Sequence, residues 1–182
     1  MISKEKILQS MSKWYFEMIG ILSESKLGLD LIVKMNIFDW LTPLSTMPGR
    51  DDLSNLIIKL LKYDKPGPSR VLLAKSLSAQ SRVVRFYATR QIQQIMRSHK
   101  RQATDFSEWG IRFLVQKLTD ADSKVASLAL SILDECVYDT NCLDSLITKK
   151  ALPVLSKLGK PGNDLIIRFL SRPYGFDYVN YF

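Results

Sequence analysis

Apolar residues recur every three or four positions almost from end to end of this chain, the spacing that aligns one face of an α-helix. The first stripe runs through Ile7, Met11, Trp14, Tyr15, Met18, Ile19 and Leu22, with Ser3 placed as its N-cap. A second passes through Leu27, Leu31, Ile32 and Met35. Asn36 breaks it, and a short third helix is predicted over Ile37–Leu44. Met47-Pro48-Gly49-Arg50 reads as a loop. Asp51-Asp52 opens the next helix, which carries Leu53, Leu56, Ile57, Leu60 and Leu61; acids in a first turn suit the helix dipole. Asp64-Lys65-Pro66-Gly67-Pro68-Ser69 is the strongest break, too short for a domain linker and so read as an inter-helix turn.

The second half continues in the same way. A short helix is predicted over Val71–Leu77 and a longer one over Arg82–Ser98. Asp105-Phe106-Ser107-Glu108 has the form of a capping box, opening a helix with Trp109, Phe113, Leu114 and Leu118. Thr119–Asp122 is a turn, and Val125, Leu128, Ala129, Ile132, Leu133 and Cys136 form the cleanest stripe. Short helices follow near Leu143–Ile147 and Leu152–Leu158. Gly159-Lys160-Pro161-Gly162 is a turn into a last helix through Leu165, Ile166, Phe169 and Leu170. No period-2 strand pattern stands out. The tryptophans Trp14, Trp40 and Trp109 fall on apolar stripes and are expected in the core.

The chain also repeats itself. Displaced by 114 positions, Met11, Trp14, Met18, Ile19 and Leu22 fall on Val125, Leu128, Ile132, Leu133 and Cys136. Leu29-Asp30 falls on Leu143-Asp144, and Leu41 and Leu44 fall on Leu155 and Leu158. The shared unit is a long helix, a short helix and a third helix. Armadillo and HEAT units are about 40 residues long, so the offset is close to three of them. The expected fold is all-α, an armadillo/HEAT-like α-solenoid: a right-handed superhelix of stacked repeats in which neighbours bury together what no repeat buries alone. Residues 1–182 are expected to form a single helical-repeat segment. Tyr174, Phe176, Tyr178, Tyr181 and Phe182 leave an aromatic end without a polar cap, so the segment is expected to belong to a much longer chain.

Composition adds exclusions. The 182 residues are 46% hydrophobic and 24% charged, enough apolar material for a continuous core and too little polarity for wholesale disorder. No apolar run reaches the roughly 18 residues of a membrane span. Cys136 and Cys142 provide no disulfide framework, and with no signal-peptide pattern at the N-terminus a cytoplasmic chain is expected. The single histidine, His99, lies in the basic run Arg97-Ser98-His99-Lys100-Arg101; one His and two Cys cannot supply a zinc site. No Walker loop or GxGxxG is present. Asp51-Asp52, Asp134-Glu135 and Asp120/Asp122 read as caps and solvated faces. No catalytic residue, metal ligand or cofactor is expected.

One feature carries a possible contact. Against a net charge of +8, Arg82, Arg85, Arg90, Arg97, Lys100 and Arg101 supply six positive charges with no acid between them. At about 100° per residue they span an arc of roughly 160°, mostly opposite Val84, Tyr87, Ala88, Ile92, Ile95 and Met96. Such a face either keeps a helix soluble or meets phosphate or an acidic partner surface. Read this way, the chain is an armadillo/HEAT adaptor that binds an acidic peptide, or nucleic acid, through the basic helix.

Several strings narrow this further. Tyr15–Ser23, Asp51–Leu77, Arg85-Phe86-Tyr87-Ala88-Thr89-Arg90, Trp109–Leu118, Ala129–Glu135 and Arg168-Phe169-Leu170-Ser171-Arg172-Pro173-Tyr174-Gly175-Phe176 occur in that order. Together they resemble the Rictor/Pianissimo family, from about Trp14 to Asn180. The resemblance implies a helical-repeat scaffold subunit of TOR complex 2, without catalytic residues or cofactors. It implies the TOR kinase and the other subunits of that complex as partners, with AGC-family kinase substrates reached indirectly. It further implies a cytoplasmic location, peripheral at the plasma membrane only through the complex, and disfavours nucleic acid. The run Ser98–Thr104 departs from the family pattern as a larger, more basic loop.

Overall fold

The computed structural model describes residues 12–98, 104–138, 146, 152–173 and 176. All regular structure among them is helical, as the periodicity predicts, and compatible with armadillo/HEAT-like stacking. In chain order the helices are α1 (Ser12–Leu22), α2 (Lys26–Lys34), α3 (Ile37–Ser45), α4 (Asp51–Leu60), α5 (Pro68–Leu77), α6 (Arg82–Ser98), α7 (Thr104–Lys117), α8 (Ser123–Cys136), α9 (Leu152–Leu155) and α10 (Lys160–Leu170); a 3-10 turn (Ser156–Leu158) follows α9. The chain divides into two compact units, Met1–Ile95 and Met96–Phe182, with the boundary in the last turn of α6.

In the first unit α1 packs on α2 and α4, α2 on α3, and α3 on α4 and α5. Ile32, Ile57, Leu72, Leu73, Leu77, Val84, Ala88 and Ile92 are completely buried in it. α1 comes unusually close to α4: a β-carbon at Gly20 would overlap the Leu60 carbonyl oxygen, so only glycine permits this approach. The Ser25 hydroxyl caps α2 by accepting from Gly28 N–H at 2.9 Å. Asn36 turns α2 into α3 with φ 54°, the left-handed region that asparagine tolerates better than most residues. Pro43 denies Asp39 the amide donor that would extend α3, and the helix ends two residues later. Arg70, nearly buried, fastens the Leu61–Gly67 connector: Nε donates to Tyr63 O at 2.8 Å and Nη2 to Asp64 O at 2.7 Å. The buried Tyr63 hydroxyl donates to Ile58 O at 2.6 Å.

The second unit packs α7 on α8, and α9 with its 3-10 turn on α10. Ile111, Leu114, Val125, Ala129 and Leu133 are among its fully buried side chains, and Trp109 lies between the rings of Phe106 and Phe113. The Asp122 carboxylate caps α8 by accepting from Lys124 N–H and Val125 N–H. Asp134 and Glu135, adjacent on α8, reach two different arginines: Asp134 pairs with Arg168 on α10, and Glu135 with Arg97.

Three expectations are corrected. Gly162 is no turn residue: α10 already begins at Lys160, with Pro161 in its first turn, and Gly162 is buried against the Leu155 carbonyl. Asp105 lies inside the first turn of α7, one residue past the helix start, and is not its N-cap. Trp14 and Trp40 are 63% and 74% exposed, whereas Ile19 and Leu41 of the same helices are buried. The repeat at an offset of 114 is partly visible in burial. Ile19/Leu133 and Leu41/Leu155 are buried in both copies, whereas Met18 is half exposed and its counterpart Ile132 is buried. The N-cap at Ser3, and the Leu143–Ile147 helix apart from the buried, helical Leu146, lie outside the described residues.

Candidate interaction surfaces

Of the six cations singled out by the sequence, the four that are described differ in what they meet. Arg85 bends back to the loop after α5, where Nη1 donates to Ala79 O at 3.0 Å and Gln80 O at 2.8 Å, so it fastens that loop. Arg97 meets Glu135 through two bonds, Nε to Oε2 at 2.8 Å and Nη2 to Oε1 at 2.6 Å. The Glu135 carboxylate pushes the Arg97 guanidinium pKa still higher, so that charge is permanent and already matched. Arg82 is exposed on the first turn of α6. Lys100 and Arg101 lie outside the described residues, as does His99.

Arg90 differs. It lines a groove of about 200 Å³ together with Asn55 and Lys59 of α4 and Tyr87, Gln91 and Gln94 of α6. Its surround holds a second cation, a phenol and three amides, and no carboxylate. Among the described residues neither Arg90 nor Lys59 makes an ion pair or a side-chain hydrogen bond. Sequence reading found Arg90 but missed Lys59 and the amides. Their signal was present as polar positions four apart on one helix and three, four and seven apart on another, but which two stripes face each other is decided by packing.

A second surface is apolar. Trp14, Tyr15, Met18 and Ile21 on α1 and Leu27 and Leu31 on α2 are all exposed, Leu27 at 83%. On α1 these four lie opposite Gly20, which faces α4. At the equivalent positions of α8 in the second unit, Ala129 and Ile132 are buried, Leu128 is half-buried and Glu135 is exposed. Two further clefts carry mixed lining: one of about 310 Å³ by Ser23, Glu24, Lys62 and Lys65, and one of about 470 Å³ by Val33, Phe38, Pro68 and Val71.

Among the described residues no three His, Cys, Asp or Glu side chains cluster to hold a metal ion, and Cys136 is buried. No described helix is long and apolar enough to cross a membrane.

Comparison with known proteins divides the chain where the structure does. The middle domain of the rapamycin-insensitive companion of mTOR matches residues 1–96, and the RasGEF_N domain of that same companion matches residues 105–182. Protein pianissimo A of Dictyostelium discoideum is 48% identical over 177 residues, 97% of this chain and 15% of that protein. The rapamycin-insensitive companion of mTOR of Homo sapiens is 38% identical over 174 residues, 96% of this chain and 10% of that protein. A target of rapamycin complex 2 subunit of Schizosaccharomyces pombe is 29% identical over 180 residues, 98% of this chain and 13% of that protein. The chain thus spans a small part of the length of each relative. With both halves matched in order by domains of one family, and the strings around Arg85, Trp109 and Arg168 in place, the chain belongs to the Rictor/Pianissimo family.

Proposed function

We propose that this chain is a non-catalytic, helical-repeat scaffold segment of a TOR complex 2 subunit. The observation that carries the reading is the pair of consecutive family-domain matches over residues 1–96 and 105–182, with relatives whose names place them in that complex. In this reading the segment helps assemble the complex around the TOR kinase and, through the complex, supports signalling to AGC-family kinases from the cytoplasm or the inner face of the plasma membrane. In this reading residues 1–182 are a single helical-repeat segment.

The disposition of polar groups supports a structural role. The carboxylates that could attract suspicion are at work in the fold: Asp122 caps α8, Asp120 holds Lys117, Asp134 and Glu135 tie arginines, and Asp52 holds Arg50. The apolar face of α1 and α2 supports it too, because a surface of that kind on a helical-repeat unit takes another packed element.

The test is affinity purification of the tagged parent protein with and without residues 1–182, after nuclease treatment, with partners identified by mass spectrometry. Recovery of the TOR kinase only when the segment is present is the expected result. Recovery in both cases removes this segment from assembly, and recovery in neither removes the complex reading altogether.

A further inference from the structure

We propose that the groove between α4 and α6 of the first unit binds a phosphorylated side chain carried on an extended peptide segment. The groove is built by two helices that start side by side, since the Ser81 hydroxyl just before α6 donates to Asp51 Oδ1 at the start of α4, 3.0 Å away. One and two turns further, Asn55 and Lys59 face Tyr87, Arg90, Gln91 and Gln94. Residues 87 to 94 rise about 10 Å along the helix axis, the length of about three extended peptide residues.

Charge identifies what would be held. Arg90 and Lys59 place two positive charges in one groove that contains no carboxylate, and among the described residues neither is matched within the fold. The acids one turn away are engaged elsewhere, Asp51 by Ser81 and Asp52 by Arg50. On the same helix Arg85 and Arg97 have intramolecular partners, so Arg90 is open to a ligand where they are not. A phosphoryl group brings a charge of about −1.5 to −2 at neutral pH and three acceptor oxygens, close to what two cations neutralise. Arginine offers its fork to two of those oxygens, lysine a point charge, and the Tyr87 hydroxyl a further donor.

The remaining lining favours a peptide as the carrier. Asn55, Gln91 and Gln94 each present both a donor and an acceptor, the pair that peptide N–H and C=O groups require. At about 200 Å³ the groove is smaller than the roughly 300–1,000 Å³ of whole small-molecule sites and suits one modified side chain. A single tyrosine gives no run of aromatic platforms for successive bases. The inference is independent of the complex reading, because it is tested on the purified chain alone.

The probe is a fluorescein-labelled nonapeptide of alanine and glycine with a central phosphoserine, followed by fluorescence anisotropy against the full chain. It is compared with its serine twin and with inorganic phosphate and oligouridine as competitors. The expected result is at least about tenfold tighter binding of the phosphopeptide than of its twin, weakened as salt rises from about 50 to 200 mM. Lys59→Glu with Arg90→Glu loses at least about tenfold, while Arg82→Glu on the same helix does not. If that double charge reversal disturbs the helical circular dichroism, Arg90→Gln serves in its place and still weakens binding severalfold. Equal affinity for the serine twin, or unchanged affinity in a folded groove variant, overturns the proposal. So does inorganic phosphate displacing the probe as well as unlabelled phosphopeptide, which would make this a free-anion site, or oligouridine displacing it better than either.

Discussion

Gly20→Ala is the most direct test of how the first unit is held together. A methyl group at Gly20 overlaps the Leu60 carbonyl oxygen, a backbone atom that has no rotamer to escape into. α1 and α4 must therefore move apart. Overpacking of a tight contact costs about 1–3 kcal/mol, and a backbone partner places this case near the upper end. Alanine returns about 1 kcal/mol through its better helix propensity. The net loss is about 2 kcal/mol, which for a chain of this length lowers Tm by about 4–8 °C. The assay is thermal and urea unfolding followed by helical circular dichroism, with Ile21→Ala alongside. Ile21 is 59% exposed next to Gly20 in the same helix, and its truncation should change stability by no more than about 0.5 kcal/mol. A Gly20→Ala chain as stable as wild type, or more stable, would show that the close approach of α1 to α4 is not a feature of the folded protein.

Other consequences follow from particular side chains. Burial holds the Tyr63 phenol protonated far above its ordinary value near 10. The unfolded chain gives up that proton while the folded chain keeps it, so this contribution to stability is whole below pH 10 and falls as pH rises beyond it. The fall is about 1.4 kcal/mol per pH unit; urea midpoints from pH 8 to 11 should show it in wild type and less of it in Tyr63→Phe. Arg70→Met removes the donors to the Tyr63 and Asp64 carbonyls and should cost about 2–4 kcal/mol, whereas a loss below about 1 kcal/mol would mean those carbonyls find water. Trp14→Gln with Leu31→Gln should leave the unfolding midpoint nearly unchanged and reduce concentration-dependent self-association in sedimentation velocity. A large drop in midpoint would mean the face is not exposed in solution.

Helix positions were readable from the sequence because the apolar period survives in nearly every segment: Arg82–Ser98 and the start of α4 at Asp51 appear where the pattern places them. The periodicity also picked out the buried stripe of α8. It gave no sign that Gly162 is inside a helix, since glycine beside proline is ordinary turn chemistry and only the Leu155 carbonyl pressing on it explains its place. It could not tell which side of α1 meets α4, because both sides carry large apolar residues: Ile19 turned inward, whereas Trp14 and Met18 did not. The basic face poses a related question. Helical geometry placed Arg85, Arg90 and Arg97 on one side, but the carbonyls beyond α5 and the Glu135 carboxylate come from elsewhere in the chain, and they decide which charges remain open.

The neighbouring acids of α8 set the two units apart in how they respond to ionic strength. Asp134 and Glu135 tie α8 to Arg168 and Arg97 on the outside of the second unit, where each partner is at least one-third exposed. Counterions compete for such bonds, and the distance over which exposed charges feel one another shrinks from about 10 Å at 0.1 M salt to about 3 Å at 1 M. The first unit also holds one exposed pair, Lys62 with Glu24, but α1 meets α4 through a glycine against a carbonyl and the connector after α4 is held by a nearly buried guanidinium, neither of which dissolved ions reach. Molar sodium chloride should therefore speed amide hydrogen exchange along α8 and α10 while leaving α1 and α4 as they were, so that the same chain becomes looser at one end and not at the other.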